Sequence, residues 1–107
     1  MSDLTELATW YVEQCDGDWE HARGISIRSC DNPGWWVEID VVNTSLEGRS
    51  FHPVTEGVSE AGLPQADRWL HCLVREGVWH GAGDPSRLEE ITGRFVTWAR
   101  EATADQP

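Results

Sequence analysis

Eight consecutive residues, Trp35-Trp36-Val37-Glu38-Ile39-Asp40-Val41-Val42, constrain the fold more than any other stretch. Read with a period of two, Trp35, Val37, Ile39 and Val41 point one way, and Trp36, Glu38, Asp40 and Val42 the other. A helix would scatter these apolar and acidic residues around its circumference. A strand separates them into a face for a core and a face carrying an aromatic residue and two carboxylates. Upstream, Asp31-Asn32-Pro33-Gly34 has turn chemistry: Pro fixes φ, and Gly can supply a positive φ. Before it, Ile25 and Ile27 alternate with Ser26 and Arg28, as in a half-buried strand. The two segments read as a β-hairpin, entered through the acidic loop Asp16-Gly17-Asp18-Trp19-Glu20-His21. Trp19 is expected to plug the core from that loop while the acids face water.

The rest of the chain reads as what is needed to cover the hairpin. Residues 3–15 predict a helix, with Asp3 and Glu6 at capping-box spacing. Leu4, Leu7, Ala8, Tyr11 and Cys15 form its apolar stripe, Trp10 lies at the edge of the stripe, and Gly17 ends it in a left-handed conformation. Cys15 reads as a small buried residue. Residues 49–54 predict a short strand, confined by Pro53 to an edge or a strand end. Residues 55–66 read as a loop. Leu70, Cys72 and Val74 share one face of a strand that turns at Glu76-Gly77 into Val78-Trp79-His80. Asp84-Pro85 is a helix start, with Asp as N-cap and Pro in the first turn. Leu88, Ile91, Phe95, Trp98, Ala99 and Ala102 continue it as an amphipathic helix over 85–102, with Arg87, Glu90, Arg94 and Arg100 on its solvated face. The last residues, 102–107, are expected to fray. The class implied is a single α+β domain over 1–107: two layers, with a mostly antiparallel sheet of four to five strands, an N-terminal helix and a long C-terminal helix.

Charge narrows the function. The chain carries a formal charge of −11, with no Lys. Residues 1–47 hold ten acids against two Arg, so the negative charge is concentrated around the hairpin. Such a field repels nucleic acid and anionic membranes and favours solubility or a basic partner. No N-terminal run resembles a signal peptide and no stretch is long and apolar enough to span a membrane. Three cysteines without a CxxC pair suit a reducing, cytoplasmic setting.

Catalytic patterns are sparse. Asp16, Asp18 and Glu20 alternate around a Gly, but a calcium loop counted from Asp16 would need Gly where His21 stands and Glu where Ile27 stands. Gly81-Ala82-Gly83 lacks the remainder of a phosphate loop. Cys and His lack zinc spacing, and no Ser sits in a nucleophile elbow. An acidic setting raises a thiol pKa, which disfavours Cys15, Cys30 or Cys72 as nucleophiles. The reading is a non-enzyme without metal or cofactor. Trp36 either anchors a partner between the carboxylates of Glu38 and Asp40 or packs beneath a neighbouring loop, and the pattern leaves both open.

Trp10-Tyr11, the run Gln14 to His21, Gly24-Ile25 and Asp31-Asn32-Pro33-Gly34-Trp35 resemble the immunity protein 53 family of bacterial polymorphic toxin systems. Trp19-Glu20 and Pro33-Gly34-Trp35 correspond to its Trp-Glu and Pro-Gly-Trp motifs, and Gly81-Ala82-Gly83 before an amphipathic helix is also similar. The resemblance implies a non-enzymatic antitoxin that binds and blocks its cognate toxin in the producing cell. Many such toxins attack nucleic acid through basic clefts, so a nuclease is the hypothesis suggested by the acidic charge. The candidate contacts are Asp16, Asp18, Glu20, Trp36, Glu38 and Asp40. Trp19, Pro33, Gly34 and Trp35 are assigned to building the hairpin. The alternative is a small-molecule or peptide-binding module with its pocket between the sheet and residues 55–68, and a thiol or metal-dependent enzyme ranks third. The oligomeric state is left open.

Overall fold

A computed structural model describes residues 2–31 and 33–104. Helix α1 (Asp3–Gln14) and the single turn α2 (Trp19–Ala22) lead into β1 (Ile25–Cys30) and β2 (Gly34–Asp40). After β3 (Val54–Glu56), β4 (Leu70–Arg75) and β5 (Val78–Gly83), a 3₁₀ turn over Pro85–Arg87 opens into α3 (Leu88–Ala104). The sheet order is β1-β2-β5-β4-β3, and every pairing is antiparallel. The expected two-layer α+β architecture is therefore the one observed.

The period-two reading of the hairpin holds. Val37 and Ile39 are fully buried, and register aligns them with Gly81 and Trp79 of β5 and with Ile27 and Ile25 of β1. Leu70, Cys72 and Val74 extend the same inner face on β4. Against it lie α1 and α3, joined by a chain of edge-to-face rings. Trp19 meets Trp10, Trp10 meets Phe95 at 4.9 Å, Phe95 meets Trp79 at 5.3 Å, and Phe51 bridges Trp79 to Trp98. Each such contact adds about 0.5–1.5 kcal/mol beyond area burial. The indole N–H of Trp19 donates to the Val42 carbonyl and that of Trp98 to the Ser50 carbonyl, both at 2.9 Å. The buried N–H of Trp79 finds no hydrogen-bond acceptor among the described residues.

Close approach of α3 to β5 depends on two glycines. A Cβ on Gly81 would stand 2.6 Å from Ile91, and one on Gly83 would stand 2.8 Å from the Arg87 stem. Both lie on the inner face, so the Gly81-Ala82-Gly83 run is a flat landing for the helix.

Several local expectations are corrected. Ser2, not Asp3, caps α1 by accepting from the Thr5 N–H at 3.2 Å. Glu6 is thereby free to pair with Arg100 of α3. Trp10 is buried, whereas Leu4 is 52 % exposed, so the stripe on α1 is rotated toward Trp10. Cys15 is exposed, its thiol donating to the Tyr11 carbonyl, because the helix has ended and the chain leaves the core there. The third strand is Val54–Glu56 rather than 49–54. Residues 50–53 instead run beneath α3, where Phe51 packs on Trp79 and Trp98. Gly34 is not at positive φ; it opens β2, and what it provides is space. The C-terminal helix runs to Ala104, past the expected 102, while the expected fraying of 105–107 falls outside the described residues.

The largest correction is Arg87. It was expected on a solvated helix face but is 8 % exposed. Its Nε donates to Asp84 Oδ2 at 3.1 Å, one terminal nitrogen to Glu90 at 2.6 Å and the other to Glu56 at 2.9 Å. The 3₁₀ turn after Pro85 shifts the helix phase, so Arg87 points inward at the seam of β3, β5 and α3. Asp84 does cap this turn as expected, accepting from the Ser86 N–H, and it also accepts from the buried Trp69 N–H.

Candidate partner-binding face

The sheet has one uncovered side. It is built from the alternate residues of the hairpin and their cross-strand partners: Arg28, Trp36 and Ala82 in one row, Ser26, Glu38, His80 and Leu73 in the next, and Asp40, Val78 and Arg75 in the third. None of these residues is buried. Trp69 closes the Gly34 end of this side, its ring standing against the glycine backbone. The loop over 57–66 closes another corner, where Gly62 lies on the His71 ring. Burial there, with Arg75 and His80 acting in the same direction, holds the His71 pKa below its ordinary value.

Trp36 is 40 % exposed and is not covered by a loop. The Arg28 guanidinium stacks on its ring at 4.9 Å from the centroid, and the same Arg reaches Glu38 at 3.4 Å. His80 Nδ1 lies 3.7 Å from the other Glu38 oxygen. Such exposed pairs add at most about 1 kcal/mol to folding, so they orient these side chains more than they stabilise the domain. Glu38 and Asp40 line a shallow depression of about 290 Å³ with Gly24, Ser26 and Val78. One Asp40 oxygen accepts from the Gly24 N–H at 2.9 Å, which fixes the carboxylate at the rim.

The other three sequence candidates lie on the turn between α1 and α2. Asp16 accepts from the N–H groups of Asp18 and Trp19, both at 2.9 Å, and Glu20 accepts from those of Asp16 and Gly17. These bonds hold the Asp16 carboxyl below the usual carboxylate range. The two acids therefore shape the turn that delivers Trp19 to the core, with Gly17 at φ +96° making the bend. Asp18 is exposed and makes no such bond. The Trp19 to Val42 bond sets this turn beside the Asp40 end of β2. The structure thus brings Trp36, Glu38 and Asp40 onto one face and gives Asp16 and Glu20 internal work at its margin.

The structural motif residues separate as well. Trp19 is core; Trp35 is half-buried on the inner side, its indole donating to the Pro85 carbonyl at 3.1 Å. Pro33 is exposed at the turn. Arg28 and His80 were missed as members of the face. The alternation of Ile25–Arg28 could have placed Arg28, but His80 needs the β2–β5 register, which no local pattern encodes.

An open groove of about 850 Å³ lies elsewhere, between α3 and residues 50–54, with Phe51, Trp98 and Val54 beneath and Asp3, Glu90 and Arg94 around it. Cys72 is fully buried, and burial pushes its thiol pKa up to about 12, which makes it a poor nucleophile. No helix among the described residues is long and apolar enough to cross a membrane.

An antiparallel sheet with two helices on one side and an aromatic, acid-bearing face on the other defines a small two-layer α+β domain. The family model described as immunity protein 53 matches residues 4–100, and the chain belongs to that family. Membership gives it the role of an immunity protein, which implies a cognate toxin as partner. No curated protein and no solved structure gives a significant match.

Proposed function

We propose that this immunity protein neutralises its toxin without catalysis, in the cytoplasm, by presenting the outer face around Trp36, Glu38 and Asp40 together with the acidic turn Asp16, Asp18 and Glu20. The observation that carries the reading is the exposed Trp36 beside a depression with two carboxylates on its rim. Arg28 already stacks on this ring, and an arginine or lysine from a partner suits its remaining exposed surface or takes the place of Arg28; interface anchors of this kind commonly contribute about 2 kcal/mol or more each.

Charge distribution supports a basic toxin. The ion pairs of the described residues neutralise Glu6, Glu38, Glu56, Asp84 and Glu90. Among the described residues Asp16, Asp18 and Glu20 make no ion pair, so the turn keeps its negative field. A field of that sign speeds encounter with a basic surface and disfavours like-charged competitors. A nuclease, whose substrate-binding cleft is basic, is the toxin class this charge suits best, and the same field leaves nucleic acid itself unbound.

The test is co-expression of the toxin domain encoded beside this chain with wild-type protein or with a Trp36→Ala/Glu38→Ala variant. Wild type should restore growth and the variant should not, although it accumulates folded. Full protection by the variant would remove this face from the account.

A further inference from the structure

The geometry points to the free edge of β1 as a docking rail that takes an extended segment of a basic partner as a sixth strand. The inference rests on the immunity reading above and specifies how the toxin is gripped.

β1 is an outer strand, paired on one side with β2 in six consecutive residue pairs without a bulge. The Asp40 N–H donates to the Gly24 carbonyl, so the backbone groups of Gly24, Ser26, Arg28 and Cys30 turn toward β2. By the same alternation the N–H and C=O groups of Ile25, Ile27 and Ser29 face away from the sheet. Exposed edges of this kind are ordinarily blunted by Pro, Lys, a bulge or a covering loop. Ile25-Ser-Ile-Arg-Ser-Cys30 has no Pro or Lys, and its Arg28 is drawn sideways onto Trp36 and Glu38.

The helix layer also extends beyond this edge. A groove of about 530 Å³ runs between α1 and β1, lined by Leu4, Ala8, Tyr11, Ile25 and Ile27, with Arg23 at one end. Leu4 is 52 % and Ile27 41 % exposed, and both lie on the side where a core would continue. An added strand would satisfy the three outward backbone pairs and drop its alternate apolar side chains into this groove, the two components of strand addition. A second copy of this chain is a poor occupant, because two such domains would bring together formal charges of −11 each. A positively charged partner gains from the same field, and its strand would run beside the face that carries Trp36.

Amide hydrogen exchange, read residue by residue on the full chain with and without the cognate toxin domain, tests this directly. In the free protein the Ile25, Ile27 and Ser29 amides should exchange quickly while those of Ser26, Arg28 and Cys30 are protected by β2. In a stoichiometric complex the first three should slow by at least about tenfold. A complex in which they stay fast overturns the rail and leaves the immunity reading standing. No complex at all overturns both. Protection that rises with protein concentration in the absence of toxin assigns the edge to a second copy and overturns the basic-partner proposal. Ile27→Pro adds a second readout: it removes an outward N–H together with the groove-lining Ile27 side chain, so, compared with Ile27→Ala, which loses the side chain and keeps the N–H, the folded Pro variant should bind toxin at least about tenfold more weakly.

Discussion

Gly34 backs onto the carbonyl oxygen of Gly83 so closely that no side chain fits between them, and a Cβ at this position would also stand 2.9 Å from the Trp69 ring. The contact fastens the start of the hairpin strand to the end of β5, where the polypeptide turns toward the Asp84 cap. It gives the glycine of the Pro33-Gly34-Trp35 motif a steric role.

Gly34→Ala should therefore destabilise the fold by about 1–3 kcal/mol, the cost of forcing a methyl into a packed contact. Urea unfolding measures it. Folded Gly34→Ala protein should still bind toxin at wild-type affinity, because the face around Trp36 is not touched.

Asp84 and Arg87 should behave as one unit. The hydrogen bonds from Ser86, Trp69 and Arg87 outweigh the cost of burial and hold the Asp84 carboxyl well below the usual range. Its contribution to stability is fully present above the ordinary carboxylate pKa of about 3.9 and is lost as pH falls through the folded value. Asp84→Ala should cost about 3–5 kcal/mol near neutral pH, since it leaves Arg87 short of a partner and the Trp69 N–H bare. The variant should also lose the part of the acid-unfolding profile that Asp84 supplies. A loss below 1 kcal/mol would show that Glu56 and Glu90 suffice for Arg87.

The two adjacent tryptophans should separate stability from binding. Trp35→Ala removes a half-buried inner residue and its bond to Pro85, and should cost about 2–4 kcal/mol in thermal or urea unfolding. Trp36→Ala, on the open face, should stay within about 1 kcal/mol of wild type and lose toxin affinity instead.

Thiol labelling should rank the cysteines by exposure. Cys15 is exposed and should react first, half-buried Cys30 more slowly, and Cys72 only on unfolding. Burial holds the Cys72 thiol at a pKa of about 12, so raising pH to 9 should leave it silent in the folded protein.

The hairpin, the second β-hairpin and the amphipathic C-terminal helix were all legible because each buries one face with an unbroken period. Trp36, Glu38 and Asp40 were placed together by that same period. The features that escaped depend on geometry between elements. Arg87 looks solvated on a continuous helical wheel and becomes buried because a 3₁₀ turn changes the phase at Pro85. Leu4 and Ile27 belong to apolar patterns, yet both stay exposed because strand order leaves β1 at an edge, a fact that no local pattern contains. Asp16 and Glu20 read as surface charges, whereas their carboxylates are spent on the backbone of a tight turn.

The most direct measurement is calorimetric titration of the cognate toxin domain into wild-type protein and into Trp36→Ala/Glu38→Ala, each at low and high ionic strength. The account predicts a one-to-one complex weakened by salt, and an affinity loss of at least about thirtyfold in the variant, equivalent to about 2 kcal/mol at the anchor. An affinity that is the same for both proteins and indifferent to salt would contradict it.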